Sequence, residues 1–192
     1  FENRSADKAN EYFSDGVAEE ILNSLAKVKD LKVAGRTSSF FFKGKNENLT
    51  TIGKTLGVAH VLEGSVRKQG DKLRITAQLI RVSDGFQIWS ENFEGTDADI
   101  FALQEKIARQ VTSELKVALN AGQQSQLIDT GTSSPEAYAL YLQATAIFNR
   151  RDTAQYQDAV AALQKALALD PKYARAHSRL ATLHATLGAY MD

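Results

Sequence analysis

Ile52-Gly53-Lys54-Thr55 is the first place to look for chemistry, because Gly-Lys-Thr closes a phosphate-binding loop. Such a loop also needs a glycine five positions before Gly53 and a strand leading into it. Position 48 is Asn, and Leu49, Ile52 and Leu56 fall on one helical face, so the segment reads as an amphipathic helix. Lys43-Gly44-Lys45 is a better candidate. Backbone amides around a glycine, with two ammonium groups, could hold a small anion, while Phe40, Phe41 and Phe42 plug the core. Asp15, Glu19 and Glu20 could mimic a carboxylate cluster, but capping and dipole complementarity at a helix start explain them more simply. His177 and His184 stand seven apart, too far for the i,i+4 zinc pairing, and His60 lies in a strand. No metal and no cofactor is expected.

Lys+Arg and Asp+Glu are both 23, so no net charge draws the chain to nucleic acid or an anionic membrane. Arg67, Lys68, Lys72, Arg74 and Arg81 do make one hairpin basic. Without interleaved aromatics they read as the wet face of a sheet. Cysteine is absent, which excludes disulfides and thiolate metal sites. No apolar run approaches the roughly 20 residues of a spanning helix. Starting at Phe1 and stopping inside a helical pattern, the chain reads as a piece of a longer protein.

The positioning elements follow from periodicity. Ser14-Asp15 as N-cap with Val17, Ile21, Leu22, Leu25 and Val28 predicts a helix over about 15–28. Leu31–Ala34 reads as a short strand, 38–45 as an aromatic-basic loop, and 48–56 as a helix stopped by Gly57. Three extended runs between Val58 and Phe93 form a meander turning at Gly70 and at Asp84-Gly85, a tight-hairpin signal. In the middle run Leu73, Ile75, Ala77 and Leu79 alternate with Lys72, Arg74, Thr76 and Gln78. Trp89 and Phe93 read as core under the next helix. That helix spans about 98–119, opened by a Thr96/Asp99 capping box and striped by Ile100, Leu103, Ile107, Val111, Leu115 and Ala118.

Residues 120–134 are rich in Gln, Ser, Thr and Gly and read as a linker. From Pro135, behind a Ser134 cap, three helices fit 135–149, 154–169 and 173–187. Ala159-x3-Leu163-x2-Ala166-x4-Pro171 has the pattern of the second helix and closing proline of a tetratricopeptide repeat, and Leu180-Ala181 and His184 fit the next repeat's first helix. Stacked repeats line a groove for a peptide or partner helix, here contributed by Gln143, Ile147, Arg175, Ser178 and Thr182.

Several segments resemble the TolB-like amino-terminal domain of bacterial multidomain regulators. They include Tyr12-Phe13-Ser14-Asp15-Gly16, Arg36-Thr37-Ser38, Phe42-Lys43-Gly44, Val61-Leu62-Glu63-Gly64-Ser65-Val66-Arg67, Ile88-Trp89-Ser90 and Asp99-Ile100-Phe101-Ala102. The resemblance covers about 1–119. It implies an α/β fold with a mixed sheet, followed by tetratricopeptide repeats and often preceded by a class III adenylate cyclase domain, or by a CadC-type winged helix and a membrane span. The apolar strand that usually precedes Phe-Glu-Asn in that family is missing. An unpaired sheet edge of that kind would invite homodimerisation.

The expectation is therefore a mixed sheet with an antiparallel meander flanked by helices at 1–119, a linker at 120–134, and an all-α tetratricopeptide segment at 135–192. The function expected is a non-catalytic regulatory or protein-interaction module of a larger bacterial signalling or transcription-regulatory protein. The alternatives are the tail of an adenylate cyclase and a small-anion sensor. A protein or peptide partner is expected and nucleic acid is not. The location leans to the periplasmic side of a membrane-anchored protein.

Overall fold

The computed structural model describes residues 1–45, 47–117 and 130–191, with side chains placed through Gly188. Most of the expected 120–134 linker, and Ala118, lie outside the described residues. The chain divides into two compact units, residues 1–10 with 17–128 and residues 11–16 with 129–192.

Helix α1, Glu11–Ala26, starts earlier than its apparent cap at Ser14. The reason is Phe13. With Val17, Ile21 and Leu25 it forms a stripe of period four whose members are all buried. Ser14 is therefore buried within the helix, and Asp15, Glu19 and Glu20 sit beyond the first turn. The expectation that these three serve cap and dipole is corrected. Residues 31–35 form no strand, because the sheet offers them no neighbour. Arg36–Phe40 is a short helix, α2, in place of the expected loop.

Helix α3, Leu49–Leu56, follows its expectation. The Asn48 side chain accepts from the Thr50 N–H at 2.8 Å, and Gly57 ends the helix with φ of +67°. Gly53 is buried mid-helix, and a Cβ there would lie 2.2 Å from Val82 Cγ2. Close packing, rather than phosphate, accounts for the glycine of Gly-Lys-Thr.

Among the described residues the sheet has four strands in the order β1-β2-β3-β4: Glu2–Asn3, His60–Gln69, Lys72–Arg81 and Gln87–Thr96. β2, β3 and β4 form the antiparallel meander, while β1 runs parallel to β2 with Glu2 opposite Ser65 and Asn3 opposite Val66. The edge expected to lack its first strand thus holds a two-residue one, extended by Arg4 N–H donating to the Val66 carbonyl at 2.8 Å. Two residues are too few to show alternation. Gln69 pairs with Lys72 across a two-residue turn at Gly70-Asp71. The second connection is longer than the tight hairpin expected: residues 82–86 link the strands, with a register shift at Leu79/Ile80.

Leu73, Ile75, Ala77 and Leu79 are buried. Register places Phe93 beside Ile75 and Trp89 beside Leu79 on that face. Helix α4, Ile100–Glu114, packs against β3 and β4. It is entered through a turn of 3-10 helix at Asp97–Asp99 and the Thr96/Asp99 capping box, and ends five residues short of expectation, with Lys116 at φ 54°. Ile100, Leu103, Ile107 and Val111 form its buried stripe.

Among the described residues from 130 onward the second unit forms three α-helices, α5 Pro135–Arg150, α6 Tyr156–Leu169 and α7 Ala174–Met191. A mixed sheet flanked by helices, then an all-helical repeat-like segment, is the architecture expected.

Candidate functional site

The groove candidates depend on how α5, α6 and α7 pack. Ser134 Oγ accepts from the Ala137 N–H at 3.1 Å, and Pro135 occupies the first helical position, so α5 starts where expected. The core of this unit joins Ala137, Ala144 and Ile147 to Tyr156, Ala159, Leu163 and Ala166, and these to Tyr173, Ala176 and Leu183. Five of those ten residues are alanine, which lets the helices approach closely. The turn into α7 is built on Asp170: its Oδ1 accepts from Lys172 N–H at 3.0 Å and its Oδ2 from the Thr132 hydroxyl at 2.6 Å.

Each groove candidate can now be placed. Gln143 on α5 is exposed. Ser178 and Thr182, one turn apart on α7, are also exposed, with the Thr182 hydroxyl donating to the Ser178 carbonyl at 2.9 Å. Arg175 is half-buried, its stem lying near Gly131. Ile147 is corrected: at 4% exposure it belongs to the helical core and presents no surface to a partner. Its neighbour Phe148 is the residue the sequence reading missed. Phe148 stacks on Tyr156 at 6.0 Å between centroids, and the Arg179 guanidinium lies 4.6 Å from the Phe148 ring centroid. The signal was faint, since 148 and 179 lie on different helices. His177 and His184 are both exposed, with His177 Nε2 2.9 Å from the Pro171 carbonyl oxygen, so His184 does not pack at the position the repeat pattern gave it.

The anion candidate does not assemble. Lys43, Gly44 and Lys45 follow the carboxyl end of α2, where the helix carbonyls emerge. The N–H groups of Phe42, Lys43 and Lys45 donate to the carbonyls of Ser39, Phe40 and Phe42 at 3.3, 3.0 and 3.1 Å. Those amides are spent, and Lys45 Nζ sits 3.0 Å from the Phe41 ring centroid. Three of the five basic hairpin residues are likewise paired locally. Lys68 meets Asp97 at 2.6 Å, Arg74 meets Glu94 at 3.1 Å and Arg81 meets Asp84 at 3.0 Å. Among the described residues, no three His, Cys, Asp or Glu side chains gather to hold a metal, and no helix is long and apolar enough to cross a membrane.

Residues 150–188 match the family model described as "TPR repeat". A Rhizobium meliloti (strain 1021) protein named "Putative adenylate cyclase 3" is 36% identical over 186 residues, covering 97% of this chain and 32% of that protein. The chain thus spans about a third of the length of the relative it matches. Among solved structures, the "LpoB C-terminal domain from Salmonella enterica (Sel-Met)" aligns at 20% identity and a TM-score of 0.42, over 50% of this chain and 77% of that one.

Proposed function

We propose that this chain is a non-catalytic, protein-interacting part of a longer bacterial signalling or transcription-regulatory protein. The observation that carries the reading is the tetratricopeptide match at 150–188, where polar Ser178 and Thr182 stay exposed, as does Gln143 on the preceding helix, while the apolar residues of the three helices form one core. Helical repeats of this kind mediate protein contacts through an exposed face. The proposal divides the chain into a TolB-like sheet domain at 1–119, a joining segment at 120–134 and the start of a repeat array at 135–192. The partner is a peptide or helix laid over Gln143, Arg175, Ser178 and Thr182. Photo-crosslinking residues placed at 143, 178 and 182 in the full-length protein should capture one common partner, and a control at Asp158 should not. Equal capture at all four positions would remove the reading.

A second reading rests on the Rhizobium meliloti relative: the longer protein is an adenylate cyclase with its catalytic domain outside this chain. This chain should then form no cyclic AMP from ATP, while the longer protein should. Turnover by the chain alone would contradict both readings.

A further inference from the structure

Helix α7 presents one polar stripe. Arg175, Ser178, Arg179 and Thr182 follow one another at i, i+3, i+4 and i+7, so they share a face. Ala176 and Leu183, seven residues apart on another side, are buried in the helical core. From Ala174 to Met191 the helix contains no Asp or Glu.

Arg179 is held in place without being neutralised. Its guanidinium lies 4.6 Å from the Phe148 ring centroid on α5, and Phe148 in turn stacks on Tyr156. A ring offers no carboxylate to the five guanidinium donors. Arg150 and Arg151, two and three residues beyond Phe148, are exposed. The carbonyl end of α5 favours cations there but supplies no full negative charge. Residues 130–191 hold four carboxylates, and among the described residues none forms an ion pair with Arg150, Arg151 or Arg179. Glu136 stands in the first turn of α5, about 18 Å along the helix from Phe148. Asp152 accepts from Gln155 Nε2 at 2.7 Å, and Asp170 is engaged by Thr132 and the Lys172 N–H. Asp158 belongs to α6, which carries Lys165 as its counter-charge. Three guanidinium groups at this end of the repeat face therefore lack an acceptor of full charge.

We propose that the partner of the repeat face is an acidic peptide, anchored by an Asp or Glu carboxylate on Arg179. Phe148 fixes the guanidinium, so its planar fork is preorganised for two hydrogen bonds to one carboxylate. Arg150 and Arg151 attract the neighbouring carboxylates of the same peptide. The inference rests on the reading of these helices as a protein-binding face, and names the chemistry of what they bind.

The test uses the full chain and dye-labelled octapeptides alternating Ala with Glu, Gln or Lys, read by fluorescence anisotropy. The Glu-Ala peptide should bind saturably, and more weakly as salt is added, while the Gln-Ala and Lys-Ala peptides should not bind. Affinity should fall about tenfold in Arg179→Gln and several-fold in Arg179→Lys, both checked for folding by circular dichroism. Lys165→Gln removes the same charge from α6 and should leave affinity unchanged. No binding of the Glu-Ala peptide, equal binding of the Gln-Ala peptide or of an oligouridylate of the same charge, or equal losses at 165 and 179 would overturn the proposal. The crosslinks at 143, 178 and 182 separate the two readings. Capture of one partner through a neutral or basic segment would leave the protein-binding face standing and remove the acidic peptide, whereas equal capture at the Asp158 control would remove both.

Discussion

Arg36 Nε donates to Glu19 Oε2 at 2.7 Å, joining α2 to the middle of α1. The Arg36 guanidinium also lies 4.4 Å from the Phe40 ring centroid. Both side chains are less than a third exposed, so solvent screens the pair less than a surface bridge. A double-mutant cycle of Glu19→Gln and Arg36→Gln, read by urea unfolding, should give a coupling of about 1 kcal/mol. Zero coupling would leave the contact without energetic weight.

Gly53 and Val82 provide a steric test. A Cβ at 53 would meet Val82 Cγ2 at 2.2 Å, so Gly53→Ala should destabilise by about 1–3 kcal/mol despite alanine's better helix propensity. Trimming the neighbour should relieve this. Gly53→Ala with Val82→Ala should cost less than the sum of the two single changes. Additive losses would mean that the clash relaxes elsewhere.

Two carboxyl groups oppose each other in their effect on pH stability. Asp99 is held below its ordinary range by the Thr96 backbone N–H and then the Thr96 hydroxyl. The unfolded chain binds the proton more readily there, so this contribution is present above the unfolded value near pH 4 and is lost as pH falls through the folded value. Glu63 is raised, by burial first and by the Glu2 carboxylate second. The folded chain binds that proton more readily, so stability is highest below the unfolded value and falls as pH rises through the folded one. Glu63→Gln should therefore stabilise at pH 7 more than at about pH 3, while Asp99→Asn should destabilise at pH 7 and converge with the parent in acid. Thermal melts across pH decide both, and a reversed trend would refute the assignment.

These elements also show how far the sequence was legible. Ser134-Pro135, Asn48 with Gly57, the Thr96/Asp99 box and the alternation of β3 are local signals, and the fold follows each. The misreadings needed partners distant in sequence. Leu31–Ala34 has the composition of a strand but no ladder to join, and β1 is a strand only because β2 runs beside it. Ser14 looked like a cap because the buried role of Phe13 was not visible. At the candidate sites, burial decided against Ile147 and backbone hydrogen bonding against the loop at Lys43–Lys45. Neither is encoded in spacing.

The repeat pattern itself can be tested within one helix. Leu163 and Leu169 both belong to α6 and are six residues apart, so at 100° per residue they point about 120° apart around the helix. Leu163 is fully buried among Ala159, Ala166 and residues of the neighbouring helices, whereas Leu169 is 46% exposed. Removing the Leu163 side chain opens a cavity in a core already lined by alanines, which have little volume with which to close it. Leu163→Ala should cost about 2–5 kcal/mol, and Leu169→Ala should cost well under half of that. Urea unfolding followed by circular dichroism at a helix wavelength measures both. Similar losses at the two positions would mean that α6 is not seated by the Ala159, Leu163, Ala166 face, and the repeat assignment would lose its structural basis.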